Sequence, residues 1–310
     1  MKKTGFKLLG AFLIFFSCNT NRNVITEKPV VKEKKMETNY IPYYLKVYEA
    51  DSLYIAKDYQ KSYAILDSLF RKFEPINMIN YFEVVNFLRL KIILNKKIET
   101  KSVLDLISKY GHSEELIKFD SVLKIYSAAN NDYLIKNYKI ERLKYENSIN
   151  IPLRNQIKEM KFQDQFYRKN GYKENMDKQH KIDSINQKLV VEIFNKYGFP
   201  NEKIIGNFSF DNTFTEILAI LLHTKDKIRQ EYFMPKVLEY IKCGKAQPFY
   251  YANLQDQLLL YNDKPQYYGS YQNKVDIPVN ELNARRKTIG LANYGYEKWR
   301  NKKLYPDEKL

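Results

Sequence analysis

The chain has 310 residues, with 52 Lys and Arg against 36 Asp and Glu, a formal charge of +16. Hydrophobic residues at 44% supply packed cores and exclude global disorder, and only 10 Gly and 10 Pro exclude collagen and a loop-rich all-β chain. Two Cys cannot build a disulfide scaffold, and three scattered His leave little for a multi-histidine metal site.

The first element is an address. Lys2, Lys3 and Lys7 precede the apolar run Leu8 to Phe16, which ends in Ser17-Cys18. A basic start, a short apolar stretch and a small residue form a secretory signal over residues 1–17. The run falls well below the ~20 residues of a membrane-spanning helix. Cys18 directly after Ser17 resembles the lipobox of bacterial lipoproteins, in which the Cys thiol is acylated and becomes the first mature residue. Phe15 and Phe16 depart from the usual Leu and small residue, and an uncleaved anchor with an incidental Cys is the other reading. The resemblance implies a membrane partner through a lipid anchor at Cys18. It places the protein in the bacterial cell envelope, facing the periplasm or the cell surface. Residues 18–39, with Lys28-Pro29 and Val31-Lys32-Glu33-Lys34-Lys35, are too polar to fold and read as a flexible tether.

Basic charge with 27 Tyr invites a nucleic-acid reading through phosphate contact and stacking. The lysines, however, are dispersed among Asn, Ile and Tyr rather than gathered on one stripe. No nucleic-acid partner is expected; anionic lipid headgroups or glycans stay open as partners.

Residues 40–147 read as a helical, repeat-like region. Tyr44 to Ala56 forms a helix, Lys57-Asp58 a tight connection, and Tyr59, Tyr63, Leu66, Phe70 and Phe73 one face of a second helix. Pro75 closes it. A helix pair within about 35 residues resembles one tetratricopeptide-type repeat. Tyr81 to Leu94 with Lys101 to Tyr110 offers a degenerate second pair, and Leu116, Phe119, Leu123 and Tyr126 mark one further helix. Such an array serves either as a concave binding surface for a protein partner or as a spacer.

The pattern lapses between Tyr145 and Pro152, which places a domain boundary at 147/148. Residues 148–310 read as a second, mainly helical domain with one small β-hairpin, so the fold class of the chain is mainly α. Leu153, Ile157 and Met160 step along one helix face, and the same steps bring Asp164 onto the stripe facing the core. A buried charge there requires a partner, and Arg168 shares the face. A second helix runs from Asn175 to Tyr197, with Asp183 and Asn186 together on its flank, and Gly198-Phe199-Pro200 ends it. Thr213 to Glu216 has the form of a capping box before the apolar Ile217 to Leu222, and His223 falls at the end of that helix. Asp226 is placed to orient His223 if the helix continues. Pro235 opens a short helix that Gly244 ends, with Cys243 read as a buried, inert thiol. Phe249 to Tyr261 is a further helix. Lys264 to Ser270 and Val275 to Val279 are expected to pair as the β-hairpin, followed by helices from Asn280 to Gly290 and from Tyr294 to Arg300.

Residues 152–299 resemble an uncharacterised bacterial family, the domain of unknown function 6624. Met160-x-x-x-Asp164-Gln165-x-x-Arg168 is similar to its opening motif, and Asp183-x-x-Asn186 with Gly198-Phe199-Pro200 to its second. His223 matches a helix-end histidine, Pro265-Gln266-x-Tyr268-Gly269-Ser270 a hairpin motif, and Arg286-x-x-x-Gly290-Leu291 the closing motif. Phe199 stands where the family has Trp, and Tyr271 where it has Gln. The resemblance implies a fold and no activity.

The polar set is Asp164, Gln165, Arg168, Asp183, Asn186, His223, Gln266, Tyr268 and Arg286. Three readings stay open. It is a buried hydrogen-bonded network fastening the helices, a ligand pocket in which Arg168 or Arg286 holds an anionic group, or an acid/base site. In the last, His223 is the base and Asp164 or Asp183 the carboxylate that orients it. No His-Glu-x-x-His, Cys-x-x-Cys, nucleophile-elbow Ser or glycine-rich phosphate loop occurs, so neither a metal nor a cofactor is expected. The two aspartates remain candidates for a glycoside-cleaving pair, to be judged by their separation. The expected role is binding or scaffolding at the envelope, with an envelope hydrolase centred on His223 and Asp164 as the alternative.

Overall fold

The computed structural model describes residues 39–307 apart from 77, 79, 80 and 272–274. The signal sequence, Cys18 and the tether expected up to residue 39 therefore lie almost wholly outside the described residues. Helices account for the architecture, and among the described residues there is no β-strand. None of these helices is long and apolar enough to cross a membrane.

In the first half the chain runs through α1 (Ile41–Ile55), α2 (Tyr59–Phe70), α3 (Phe82–Ile93), α4 (Thr100–Ser108), α5 (Glu114–Phe119), α6 (Leu123–Ala129) and α7 (Asn131–Ser148). α1 and α2 form the expected hairpin, with Asp58 at the start of α2 accepting the Lys61 amide. The single helix expected around residues 116–126 is instead two. Asp120 leaves the helical region (ψ 134°), and its Oδ1 accepts the amides of Val122 and Leu123 at 3.0 and 2.9 Å, starting α6 afresh. Its Oδ2 takes the Arg89 guanidinium. A short polar side chain that bonds its own backbone competes with the helix and breaks it there.

The second half comprises α8 (Ile151–Lys169), α9 (Met176–Tyr197), α10 (Glu202–Ile205), α11 (Leu218–Leu222), α12 (Asp226–Ile228), α13 (Met234–Lys242), α14 (Pro248–Tyr261), α15 (Val279–Thr288) and α16 (Tyr296–Leu304). Asn150 caps α8 through the Leu153 amide at 3.1 Å, with Pro152 in the first turn, where its missing N–H costs nothing. A π-helical turn over Arg229–Phe233 links α12 directly to α13. The expected capping box at Thr213 does not form. Thr213 gives its carbonyl to Arg154, and Glu216 caps α11 alone, accepting the Leu218 amide.

The β-hairpin expected at 264–279 is absent among the described residues. Asp256, on α14, accounts for this. Its carboxylate accepts the amides of Tyr267, Tyr268 and Ser270 and the Ser270 hydroxyl, all at 2.7–2.9 Å. Amides that a hairpin would offer to a neighbouring strand are consumed by one side chain, so the segment wraps as a loop.

The largest core takes Tyr43, Tyr44, Val47 and Leu66 from before residue 148 and Leu153, Ile157, Val190 and Phe233 from after it. Tyr44 is fully buried, and its hydroxyl donates to the carbonyls of Ile241 and Ala246 at 3.0 and 2.8 Å, docking α1 on the end of α13. A second core gathers α3 to α7 around Leu106, Ile117, Leu123 and Leu134. A third, small one lies under the 265–271 loop, where Ala252, Tyr268, Ile289 and Leu291 meet.

Candidate functional site

α8 and α9 lie antiparallel, and their shared face carries the polar residues by helical spacing. Met160, Asp164 and Arg168 step by four along α8; Gln179, Asp183 and Asn186 step by four and three along α9. α11 then runs in above them and ends at His223, which caps its C-terminus.

Asp164 is fully buried. Its carboxylate faces the His223 ring, with Nδ1 at 2.8 Å from Oδ1 and 3.0 Å from Oδ2. Gln165 donates to Oδ2 from the side at 2.6 Å. An ionised carboxylate this close to Nδ1 requires a proton on that nitrogen, because two lone pairs at 2.8 Å repel. Arg168 Nε also approaches Nδ1, at 3.2 Å, but cannot donate to a nitrogen that is itself donating. The tautomer is therefore Nδ1–H, leaving the lone pair of the neutral ring on Nε2. Nε2 has no hydrogen-bond partner among the described residues and is open to solvent. Asp226, proposed from the sequence to orient His223, instead opens α12.

Arg168 leans across the mouth. Its Nη2 is 2.8 Å from both oxygens of Asp183 and 3.9 Å from Asp164, and Tyr172 lies under the guanidinium at 5.8 Å. Nη1 takes no partner among the described residues. The gap between the two aspartates is thus filled by a cation. A glycoside-cleaving pair needs that space for the sugar and, in inverting enzymes, a water, so the two carboxylates do not form one. Gln179, which the sequence reading missed, is fully buried and bridges Asp183 Oδ1 and the Asp164 carbonyl at 2.9 and 3.0 Å. Asn186 is also buried and donates to the Met160 carbonyl at 3.2 Å, fixing the register of α9 on α8.

Gln266, Tyr268 and Arg286 are elsewhere. Arg286 donates to the carbonyls of Ala292 and Tyr268 at 2.6 and 2.8 Å, and burial lowers its pKa. Gln266 accepts the Tyr271 amide at 2.9 Å. These three hold the Asp256 loop rather than the mouth beside His223. A hydrogen-bonded path joins the two clusters nonetheless. Buried Arg229 donates to the Leu222 and Thr224 carbonyls on either side of His223, and to Gln257 Oε1 at 2.8 Å. Gln257 Nε2 donates to the Tyr271 hydroxyl at 3.0 Å.

Among the described residues no three His, Cys, Asp or Glu side chains converge as a metal ion would require. Cys243 is half-buried rather than buried. What the arrangement can do chemically follows from its geometry. A buried carboxylate orients an imidazole whose free nitrogen faces water, and a guanidinium stands alongside. No family model matches the chain, and neither a curated protein nor a solved structure is similar to it.

Proposed function

We propose that the chain is a lipid-anchored protein of the bacterial cell envelope, tethered at Cys18, which binds an anionic group at the mouth formed by Arg168 and His223. Residues 152–299 are taken to form the domain resembling domain of unknown function 6624, and the helical hairpins before residue 148 to serve as a scaffold toward a protein partner. The observation that carries the binding role is the pair of atoms left uncommitted at the surface, His223 Nε2 and Arg168 Nη1. A network built only to fasten helices closes its donors and acceptors on one another. Here the buried Asp164 carboxylate is met by His223 and Gln165, buried Gln179 Oε1 takes no partner among the described residues, and the two open valences at the mouth point outward. When protonated, Nε2–H and Nη1–H together offer charge-assisted donors to a phosphate or carboxylate.

The test is a titration of the ring ¹⁵N resonances of His223 with inorganic phosphate and with acetate. Either anion is expected to move the Nε2 resonance in the wild type and to leave it in place in Arg168→Gln. An unmoved resonance in the wild type would reduce the cluster to a fastening network. Attachment is tested separately, by incorporation of a labelled fatty acid into wild type and its loss in Cys18→Ala.

The Asp164–His223 geometry supports a second reading, an envelope hydrolase. His223 Nε2 takes a proton from water as the water oxygen bonds to an acyl or phosphoryl centre. Asp164 steadies the imidazolium, which returns the proton to the leaving oxygen as its bond breaks. General-base assistance of this kind contributes ~10²–10⁴-fold. Hydrolysis of p-nitrophenyl acetate or p-nitrophenyl phosphate, lost by that factor in His223→Gln, is the expected result; equal rates in both proteins would sink it.

A further inference from the structure

α7 buries one apolar side and leaves a second one in solvent. Leu134, Tyr138 and Tyr145 enter the core, while Tyr133, Ile135, Ile140 and Leu143 stand 48–57% exposed. A single exposed apolar residue, such as Ile185 on α9, needs no account. Four of them along one helix of 18 residues, ~27 Å in length, do.

Two lysines are threaded between them. Lys136 comes three residues after Tyr133 and four before Ile140, and Lys139 four after Ile135 and four before Leu143. Each cation therefore has an exposed apolar neighbour one turn away on either side. Both lysines are exposed, and neither has an ion-pair partner among the described residues. The acids of α7 do not offset them. Glu141 and Glu146 are half-buried and are taken by Lys144 and Arg142 at 2.6 and 2.8 Å. Asp132 is exposed but lies in the first turn, where the helix dipole favours an anion.

The composition of this face selects what covers it. A second copy would lay its own Lys136 and Lys139 against these two, cations without counter-ions, and the +16 of the chain repels a copy before contact. The buried centre of a protein–protein contact is depleted in lysine. An anionic bilayer accepts both components at once. Apolar side chains enter between the headgroups, while lysine stems lie along the apolar region and their ammonium groups reach the phosphates. We propose that this face of α7 lies against an anionic phospholipid surface, with Tyr133, Ile135, Ile140 and Leu143 at headgroup depth and Lys136 and Lys139 on lipid phosphates. An anchor at Cys18 brings a chain to the membrane but does not choose the face that meets it, so the docking face stands or falls apart from the anchor and from the Arg168–His223 mouth.

The test is methyl NMR of the full chain on nanodiscs carrying nitroxide-labelled lipid, made of phosphatidylcholine alone or mixed with phosphatidylglycerol. Broadening of the Ile135, Ile140 and Leu143 methyls is expected on the anionic discs, stronger than on the neutral ones and stronger than at Ile185. Replacing both lysines, Lys136→Gln with Lys139→Gln, should lower the docked-to-free ratio about 25-fold, at ~fivefold per lysine. Ile140→Ser should lower it about tenfold, read at Leu143. All three positions are exposed, so the variants should melt with the wild type. No broadening on anionic discs overturns the proposal, as does broadening equal on the two kinds of disc or no greater over α7 than at Ile185. Shifts of the α7 methyls that grow with protein concentration in lipid-free detergent would give the face to a second copy and overturn it equally. Attachment is read separately from the labelled fatty acid, so a chain that is anchored but undocked is told from one that is docked but unanchored.

Discussion

Ser270 is bound twice by Asp256: its amide and its hydroxyl both donate to Oδ2 at 2.7 Å, while Oδ1 receives the amides of Tyr267 and Tyr268. One fully buried carboxylate thereby substitutes for the strand pairing that the 264–279 sequence suggests. Asp256→Asn replaces one acceptor oxygen with an amide group facing donors, so it should cost roughly 3 kcal/mol of unfolding free energy. Ser270→Ala leaves the backbone donor in place and should cost only about 1 kcal/mol. Urea denaturation of both variants checks the ratio. Equal losses would mean that the loop is held by its small apolar core instead.

Arg154 makes the corresponding bond in the α10–α11 segment. It is fully buried on α8 and donates to the carbonyls of Ile205, Gly206 and Thr213 at 2.7–2.9 Å. Its remaining edge pairs with Asp211, holding that carboxyl below the usual range. Lysine has the charge but not the planar fork. Arg154→Lys should cost roughly 3–5 kcal/mol, and amide exchange should quicken selectively across residues 205–213. Uniform quickening would argue against a local clamp.

These two residues mark where the sequence stops being legible. Most of the long helices could be read, because apolar residues recur at steps of three and four and because Pro75 and Gly198 punctuate them. The α8–α9 polar face was readable for the same reason, and Gln179 carried that signal too, four residues before Asp183. α7 went unread: Leu134, Tyr138 and Tyr145 are buried, but Ile135, Ile140 and Leu143 are exposed, which blurs the stripe. Arg154 and Asp256 gave no periodic signal at all. Each binds backbone groups distant in sequence, and main-chain donors and acceptors look identical at every residue. The grouping of Gln266, Tyr268 and Arg286 with His223 failed on the same ground, since motif order along the chain says nothing about which loop a side chain serves.

Glu83 gives stability a pH dependence. It is buried, its Oε1 accepts from the Tyr43 hydroxyl at 3.1 Å, and Oε2 has no partner among the described residues. Burial raises its carboxyl from 4.5 to about 8, so the folded chain keeps a proton that the unfolded chain releases above 4.5. The stabilisation is present in full below 4.5 and is lost as pH rises toward 8, at up to about 1.4 kcal/mol per pH unit. His112 acts in the opposite direction. Burial lowers it to about 4, so its contribution is present above 6.5 and is lost as pH falls toward 4. Glu83→Gln should therefore be less stable than wild type, or equal to it, at pH 4.5 and clearly more stable at pH 8. Melting curves across that range test the crossover; a constant offset would show that Glu83 does not titrate in the folded state.

The Asp164–His223 contact makes a prediction that does not depend on any ligand. With the proton on Nδ1, the neutral ring should show Nδ1 as the protonated nitrogen and Nε2 as the bare one in long-range ¹H–¹⁵N spectra. That is the less common tautomer of a free imidazole, and only the carboxylate holds it. Asp164→Asn removes the acceptor's charge and brings an amide N–H within reach of Nδ1, so the ring should turn over to Nε2–H. The single Nδ1 lone pair then accepts from the new amide or from Arg168 Nε, and the ion pair to Asp183 should persist. The change therefore costs little stability, about 1 kcal/mol for the exchanged hydrogen bond, while abolishing the open lone pair. Asp164→Ala, by contrast, leaves a cavity and strands Gln165, and should cost several kcal/mol. If ester hydrolysis depends on the Nε2 lone pair, the Asn variant loses it with its melting temperature nearly intact, whereas phosphate binding, which needs Nε2–H, is retained. An Nε2–H tautomer in the wild type would reverse the roles of the two ring nitrogens and put Arg168, rather than Asp164, in control of the imidazole.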